Sequence, residues 1–540
     1  MPMGFTQQFA DRLRAAVNES IPFGPLDAGQ IADVEVATLL FDWQISSLRG
    51  ALRKNFLVGR RGSGKSAALN AQARKEPKPV LPDRTWSPSR PAYDYSISLY
   101  SWKEFPNIRS TLSEFEKSFD APLPVEWMAE KWEAVFWLYI GREILHSTTA
   151  PDMCATAAFK ALERTLRSDE VRDASIERDL RAIVLHGPNT AIAADLNEQL
   201  APPQWETVRA RTIDFLTNQK KTALVAVDSM EQYPIREPTH QATLNGLIRA
   251  VASINERARG ARIIFCLPSE IYAHFFNQSS NPLKDFSSVE FLHWSAKELL
   301  QIAAFRYKLF LELHDPKTFE EVRNFDIHHP KDLARFWNTF LPTAVTNGLG
   351  LDEAPLAYII RHTQLLPRQL LKILNEIAVR SHAKTGGWKS FPPEIIRESV
   401  TDAESIIARE VFSAFQAVYP QALNACHSTM SRLPIEIKFG ELEKQWRAHA
   451  KAIMERMELP EFYQFLEMLC EIGVIGRIST AKPPSDRYIF GEFEYRQKGR
   501  LSLNDTHHVC VHPLFYGLFQ IKTTRGQRTV FPLGTEIEEG

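Results

Sequence analysis

This 540-residue sequence has no C-x-x-C pair, no charge excess and no long apolar run. Its five cysteines lie far apart, so neither a disulfide framework nor a zinc module is expected. Lys plus Arg (64) nearly balance Asp plus Glu (65), which excludes a chain-wide basic field for nucleic acid. Apolar runs stay well below the ~20 residues that cross a bilayer. The N-terminus also lacks the layout of a signal peptide. We therefore expect a soluble, cytoplasmic protein with reduced thiols and no membrane contact.

Length and composition indicate a folded chain of several domains. Hydrophobic residues make up 44% and aromatic residues 11% of the sequence, which is typical of globular rather than disordered proteins. A chain of this length exceeds what a single core usually organises, so two to four domains are expected.

A phosphate-binding pattern, G-x-x-x-x-G-K-S, occupies residues 59–66. Apolar residues before it predict a buried strand, and helix-forming residues after it predict a helix. Glycines in such a turn let backbone N–H groups surround phosphate oxygens, and the following helix directs its positive end at them. The pattern predicts a nucleotide site in which Lys65 contacts the β- and γ-phosphates and Ser66 binds Mg²⁺. The predicted contacts are Gly59, Arg60, Arg61, Gly62, Ser63, Gly64, Lys65, Ser66 and Ala67.

A second apolar run, residues 222–227, predicts a strand covered on both faces and ends at Asp228. An aspartate at the carboxyl end of such a strand can hold Mg²⁺, and a nearby glutamate can activate water. We therefore predict Asp228 as a Mg²⁺ and nucleotide contact and Glu231 as the catalytic base. The simpler alternative is that Asp228 caps the next turn.

Two further polar residues are candidates for contacts with the γ-phosphate. Ser269 follows the predicted strand 261–267, although it could instead cap the helix that comes next. Arg368 follows Pro367 at a predicted helix start, and its guanidinium suits phosphate oxygens. The alternative for Arg368 is an ordinary surface arginine. The predicted catalytic residues are thus Lys65, Glu231 and Arg368.

From about residue 400 the pattern changes to helices followed by a two-stranded ribbon, which is the layout of a winged helix. The ribbon and the C-terminus are locally basic and could bind DNA phosphates. The alternative is that these residues form an ordinary solvent-exposed face, which is the more common role of such a charge run. The basic residues are Arg477, Lys482, Arg487, Arg496, Lys498, Arg500, Lys522, Arg525 and Arg528. His507, His508 and His512 lack acidic or cysteine partners at metal-ligand spacing, so a structural role is expected.

The predicted fold class is α/β: a P-loop NTPase core with a central parallel sheet, then a helical lid and a C-terminal winged helix. The expected regions are an N-terminal helical lead-in (1–50), the core (51–295) with a helical insertion at about 105–220, the lid (296–400) and the winged-helix-like domain (401–540).

In this order of parts the sequence resembles bacterial P-loop ATPases of the AAA+/STAND superfamily. Six segments carry the resemblance: residues 59–66, 223–231, 262–269, 293–300, 366–375 and 511–515. The resemblance implies ATP and Mg²⁺ as ligands, Ser269 as a first sensor and Arg368 as a second. No arginine finger precedes the fifth strand, where Lys284 is the nearest basic residue.

The resemblance also implies a biological setting. Similar proteins often belong to anti-phage defence systems beside a separate effector, and no nuclease, protease or deaminase constellation is visible in this chain. The leading hypothesis is an ATP-driven switch that forms a homo-oligomer and regulates a protein partner. One alternative is a DNA-binding loader-type ATPase that uses its winged helix; another is a nucleotide-stabilised scaffold that scarcely hydrolyses ATP.

Overall fold

The structure is a computed structural model that describes most of the chain. It covers residues 7–26, 54–72, 93–99, 125–147, 151–167, 203–228, 238–278, 281–286, 288–480, 485, 487–496, 500–504 and 507–532.

A five-stranded parallel sheet forms the N-terminal half, as the two apolar runs predicted. Its strands are β1 (Phe56–Gly59), β2 (Tyr95–Leu99), β3 (Ala223–Val227), β4 (Ala261–Pro268) and β5 (Val289–Phe291). Their order across the sheet is β2-β3-β4-β1-β5, so β4 separates the P-loop strand from the strand that ends at Asp228. Every described pairing in this sheet is parallel.

Helices cover both faces of this sheet. In chain order the described ones are α1 (Gln7–Ala16), α2 (Lys65–Gln72), α3 (Val125–Ser147), α4 (Pro151–Cys154), α5 (Ala157–Leu166), α6 (Pro203–Asn218), α7 (Pro238–Arg257), α8 (Ser269–Gln278) and α9 (Pro282–Asp285). Alternate residues of a strand point to opposite faces. Phe56 and Val58 accordingly share a core with α3, α6 and α7, while Leu57 lies in the other core with α2. Burial on both faces explains why the strands are apolar throughout.

A middle helical region, residues 296–414, follows the sheet. It contains α10 (Ala296–His314), α11 (Pro316–Val322), α12 (Pro330–Phe340), a small ladder of β6 (Val345–Thr346) with β7 (Asp352–Glu353), α13 (Pro355–Arg361), α14 (Pro367–Thr385) and α15 (Pro393–Ala414). Ser295 caps α10, and Glu298 completes the capping box. Proline stands in the first turn of α14, where its missing N–H costs nothing.

The C-terminal region, residues 422–532, has the winged-helix arrangement. Its helices are α16 (Ala422–Met430), α17 (Phe439–His449), α18 (Lys451–Glu455), α19 (Phe462–Ile472) and α20 (Tyr516–Phe519). Its strands are β8 (Glu436–Lys438), β9 (Ile475–Ile478), β10 (Tyr488–Glu492), β11 (His508–Val511) and β12 (Thr529–Phe531), in the order β12-β10-β9-β11-β8.

The predicted ribbon is present, but it is only part of this sheet. β9 and β10 pair antiparallel, with Gly491 opposite Ile478. β11 inserts between β9 and β8 and pairs antiparallel with both. Helix α17 begins only at Phe439, because residues 436–438 pair with β11.

A buried ion pair joins the middle helical region to the C-terminal region. Arg361 and Glu353 form a bidentate pair, with Nε–Oε2 and Nη2–Oε1 distances of 2.8 Å, and both side chains are almost fully buried. Tyr488 on β10 donates its hydroxyl to Glu353 at 3.1 Å, and Asn347 donates to the same carboxylate at 2.5 Å. The carboxylate is therefore fully hydrogen-bonded, which a buried charge requires.

Candidate nucleotide-binding site

Three strands of the parallel sheet end at one edge, and each carries a predicted site residue there. Gly59 is the last residue of β1, while Asp228 directly follows β3 and Ser269 directly follows β4. Backbone pairing places Gly59 opposite Pro268 on β4, which also pairs with β3. Ligands of open parallel sheets bind outside these carboxyl ends. The fold thus gathers residues that are 210 positions apart in the sequence at the edge where a ligand is expected.

The loop between β1 and α2 has the backbone conformation that its glycines predicted. Gly62 and Gly64 have φ angles of +85° and +89°, in the left-handed region that side chains other than glycine rarely adopt. Helix α2 begins at Lys65, so the loop leads directly into a helix N-terminus. Backbone N–H groups and the positive end of the helix macrodipole together make an anion-binding cradle.

Lys65 and Ser66 lie where the phosphate chemistry would need them. The Lys65 ammonium is buried and donates to the carbonyl oxygens of Gly59 at 2.9 Å and Arg60 at 3.2 Å, so it curls over the loop. The Ser66 hydroxyl donates to Oδ2 of Asp228, which brings two oxygen donors from distant segments together. Mg²⁺ prefers oxygen ligands and is usually shared between such side chains and phosphates, so the residues fit Mg²⁺–nucleotide.

Ser269 and its neighbour Glu270 open helix α8 beside the loop. Ser269 is the first residue of α8 rather than its preceding cap. The Glu270 side chain is buried, and its Oε1 accepts the Arg61 backbone N–H at 3.0 Å. Sequence reasoning missed Glu270; its position directly after the candidate sensor was the available signal.

Arg368 comes to the loop from the middle helical region. Its backbone N lies 3.4 Å from the Gly62 carbonyl oxygen. A Cβ built on Gly62 would lie 3.1 Å from Cβ and 3.3 Å from Cδ of Arg368, so the arginine packs directly on the loop. Arg368 is thus packed against the loop, and its contact with a γ-phosphate stays a prediction.

Trp294, which follows β5, braces the loop and was not among the predicted site residues. Its indole Nε1 donates to the Ser63 carbonyl oxygen at 2.8 Å. Its ring also lies 3.7 Å from where a Cβ on Gly64 would stand. The motif containing Trp294 had been noticed, but only the paired sheet shows that β5 adjoins β1 and thereby delivers this side chain.

Arg60 points away from the loop toward the rest of the molecule. It lines a cavity of about 450 Å³ between the strand ends and the C-terminal region, together with Glu270, Glu471, Glu494 and Arg496. Burial lowers the pKa of Arg60, and Glu270 is the largest of the influences that oppose this shift.

Several sequence candidates fall elsewhere. Glu231 lies outside the described residues, as do Lys482 and Lys498. Lys284 lies in α9 and is exposed. Within the described ranges, His, Cys, Asp and Glu side chains form no group of three that could hold a metal ion.

Three of the described basic residues of the C-terminal region form ion pairs. Arg477 contacts Glu492 at 2.6 Å, Arg500 contacts Glu467 at 3.7 Å, and Arg528 contacts Glu436 at 3.7 Å. Helix α19, which precedes the ribbon, exposes Tyr463 and Glu467 rather than basic side chains.

His512 has the structural role that the sequence predicted for it. It is buried, its Nδ1 accepts the Leu514 N–H, and its Nε2 lies 2.8 Å from the Tyr495 hydroxyl. Burial, aided by Arg60, lowers the pKa of His512 to about 3, so the ring is neutral near pH 7.

Among the described helices, none combines the length and apolarity that a membrane span requires.

Comparison with known proteins yields distant structural likenesses only. No protein-family model matches the chain, and no curated protein matches it. The ORC2 protein of Aeropyrum pernix in ADPNP-ADP complexes is 13% identical over 86% of each chain, with a TM-score of 0.37. Its ADP form is 13% identical over 87% of each chain, with a TM-score of 0.28. Cdc6p from Pyrobaculum aerophilum is 12% identical over 93% of this chain and 96% of that chain, with a TM-score of 0.26.

Proposed function

We propose that this protein is an ATP-binding and ATP-hydrolysing switch that couples its nucleotide state to assembly or to regulation of a partner. One observation carries the proposal: a glycine loop with two left-handed residues joins a buried parallel strand to a helix, and Ser66 at that helix meets Asp228. Backbone donors, a buried ammonium and paired oxygen ligands at one sheet edge are what a Mg²⁺–triphosphate requires.

The proposed roles follow from position. Lys65 would neutralise β- and γ-phosphate charge, while Ser66 and Asp228 would hold Mg²⁺. Bound Mg²⁺ would neutralise charge that develops during phosphoryl transfer. Ser269 and Arg368, from two sides of the loop, would contact the γ-phosphate, and Glu231 would orient the attacking water. The division into regions 1–50, 51–295, 296–400 and 401–540 belongs to this proposal, with the middle helices acting as a lid.

The biological setting comes from the sequence resemblance alone. We propose a homo-oligomeric ATPase component of a bacterial anti-phage defence system, with the effector on a separate polypeptide. Phage plating on cells that carry the complete system tests this: Lys65→Ala in the ATPase should restore plaque formation, and unchanged protection would contradict the assignment.

The second candidate is a DNA-acting ATPase, which the winged-helix topology of β8, β9 and β11 favours. The ion pairs of the basic side chains weaken it. Charge reversal at Arg496, Lys498 and Arg500 distinguishes the two candidates, because only a DNA-dependent enzyme should lose salt-sensitive DNA binding.

The deciding experiment is steady-state ATP turnover, with and without double-stranded DNA, combined with nucleotide affinity and oligomer mass. The switch predicts slow turnover that DNA does not change, and oligomers that need nucleotide. Lys65→Ala should remove turnover, nucleotide binding and assembly together, whereas Lys160→Ala, at an exposed position of α5, should remove none of them. Nucleotide-independent oligomers would contradict the switch, and strong stimulation by DNA would favour the second candidate.

A further inference from the structure

Two carbonyl groups at the end of helix α19 accept hydrogen bonds from distant parts of the chain rather than from the helix itself. Gly473, at φ +82°, ends the helix, and its N–H bonds to the carbonyls of Leu469 and Cys470. The Val474 N–H also bonds to Leu469. These turns leave the carbonyls of Glu471 and Ile472, in the last turn, to be satisfied from outside the helix.

Both carbonyls accept hydrogen bonds from other regions of the molecule. Arg60 in the glycine loop donates Nη2–H to the Glu471 carbonyl oxygen. Gln364, between α13 and α14, donates Nε2–H to the Ile472 carbonyl oxygen at 2.9 Å. Arg60 Nη1 in turn donates to Gln364 Oε1 at 2.6 Å. A single guanidinium therefore joins the loop, the middle helical region and the end of α19, where it also complements the negative end of the helix macrodipole.

Aromatic packing fixes the guanidinium in this place. Its central carbon lies 5.5 Å from the ring centroids of both Phe415 and Tyr495. The turn that carries Gln364 includes Leu365 at φ +54°, a conformation that leucine rarely adopts unless its surroundings hold it. The joint is therefore a defined contact, and its hydrogen-bond acceptors are uncharged oxygens.

We propose that Arg60 couples nucleotide state to docking of the C-terminal region. Without a triphosphate, its side chain holds the end of α19 on the loop. A γ-phosphate placed beside the loop offers the guanidinium an anionic acceptor, which makes stronger hydrogen bonds than a carbonyl, and so releases α19. This inference rests on the proposed ATP site, since a loop that binds no nucleotide has nothing to couple.

Competition for one guanidinium determines the direction of the coupling. Glu471 and Glu494 of the C-terminal region line the cavity beside Arg60, but Arg496 and Arg500 line it as well, so the charge of the cavity by itself favours neither direction. The Arg60 guanidinium can either hold the end of α19 or bind a phosphate. Docking and triphosphate binding therefore oppose each other, and by linkage each must weaken the other by the same factor.

Hydrogen exchange of the full chain tests the proposal at the amides of Gly473 and Val474, which report fraying of this helix end. We compare wild type with Arg60→Met, which keeps the apolar stem between the two rings but loses the donors, each without nucleotide, with ADP and with a non-hydrolysable ATP analogue. Loss of one charge-assisted hydrogen bond should speed exchange roughly tenfold in Arg60→Met without nucleotide. In wild type the ATP analogue should accelerate exchange by a similar factor, and ADP by a smaller one. In Arg60→Met neither nucleotide should accelerate exchange any further.

Two further variants and one parallel measurement separate the outcomes. Gln364→Leu should also speed exchange without nucleotide. Arg500→Met, which removes a pair with Glu467 of α19 but no hydrogen bond to the carbonyls at the helix end, should not. Equal exchange in wild type and Arg60→Met, or slower exchange in wild type with the analogue, would overturn the proposal. Nucleotide affinity is measured on the same samples. Absent binding by wild type would refute the proposed function and the coupling, while the nucleotide-free comparison still decides whether Arg60 holds α19.

Discussion

The two five-stranded sheets of this protein use their residues in opposite ways. In the parallel sheet the candidate site is formed mostly by backbone groups, which belong to strand ends, left-handed glycines and a helix N-terminus. In the C-terminal sheet the charged side chains pair with one another, as Arg477 does with Glu492. A site formed by backbone groups can be predicted from a short sequence motif. The binding properties of a charged surface cannot, because they depend on which side chains the fold brings together as partners.

Buried charge is also placed differently in two regions of the molecule. The parallel sheet keeps Lys65 and Asp228 at its edge, where a ligand can complete their environment. The middle helical region buries the Arg361–Glu353 pair, and Tyr488 of the C-terminal sheet adds a hydrogen bond to that carboxylate without any ligand. Charge should therefore serve binding in the first case and folding in the second, and four predictions test this difference.

The largest effect is expected from breaking the buried Arg361–Glu353 ion pair. Arg361→Met leaves Glu353 buried without its cation, which should lower the free energy of unfolding by about 3–5 kcal/mol. The matched change at an exposed pair, Lys384→Ala beside Glu394, should leave the free energy of unfolding almost unchanged, because solvent screens such a pair. Urea unfolding measures both, and nucleotide affinity in native buffer should stay within about twofold for each variant. An Arg361→Met protein as stable as wild type would contradict a folding role for this buried pair.

A smaller effect, confined to activity, is expected at the edge of the parallel sheet. Asp228→Asn keeps the hydrogen bond to Ser66 possible but removes the charge that would hold Mg²⁺, so apparent Mg²⁺ affinity in the ATPase assay should fall about 10- to 100-fold. Asp94, beside Thr222 at the amino end of the neighbouring strand β2, provides the control. Asp94→Asn should leave Mg²⁺ dependence unchanged, and equal losses in the two variants would contradict a metal role for Asp228.

The middle helical region should also make stability depend on pH. Burial raises the pKa of Glu404 to about 8, with Arg361 opposing, and burial lowers the pKa of the adjoining His362 well below its usual value. Between pH ~6.5 and pH ~8 the folded protein keeps the Glu404 proton that the unfolded chain has lost, so stability falls as pH rises, by up to about 1.4 kcal/mol per pH unit.

Urea unfolding at the two ends of this pH range, on wild type and Glu404→Gln, measures that slope. The amide cannot titrate, so the difference in unfolding free energy between the two proteins should change with pH in the stated direction. A constant difference would show that Glu404 titrates alike in the folded and unfolded states.

The smallest effect is expected at the indole brace of the loop. Trp294→Phe removes one hydrogen bond to the Ser63 carbonyl while keeping an aromatic ring, which should weaken nucleotide binding by about fivefold, or ~1 kcal/mol. Trp446→Phe, in the helix α17 of the C-terminal region, should leave nucleotide affinity unchanged. Nucleotide titration of both variants checks this, and equal affinities of Trp294→Phe and wild type would mean that the brace does not shape the loop.

The sequence by itself determined the features that depend on local backbone and on apolar burial. The spacing of Gly59, Gly62, Gly64 and Lys65 specified the loop, since few other residues can adopt its conformation. The apolar run before Asp228 specified a buried strand of a parallel sheet, and Ser295 with Glu298 specified a helix start.

Only the tertiary structure decided which distant side chains meet. The strand order brings β4 between β1 and β3, so that Glu270 reaches the Arg61 N–H, and it sets β5 beside β1, so that Trp294 reaches Ser63. The end of α19 approaches Arg60 over more than 400 residues of chain. Such contacts carry no local signal, because each depends on packing between segments whose sequences are compatible with many other neighbours.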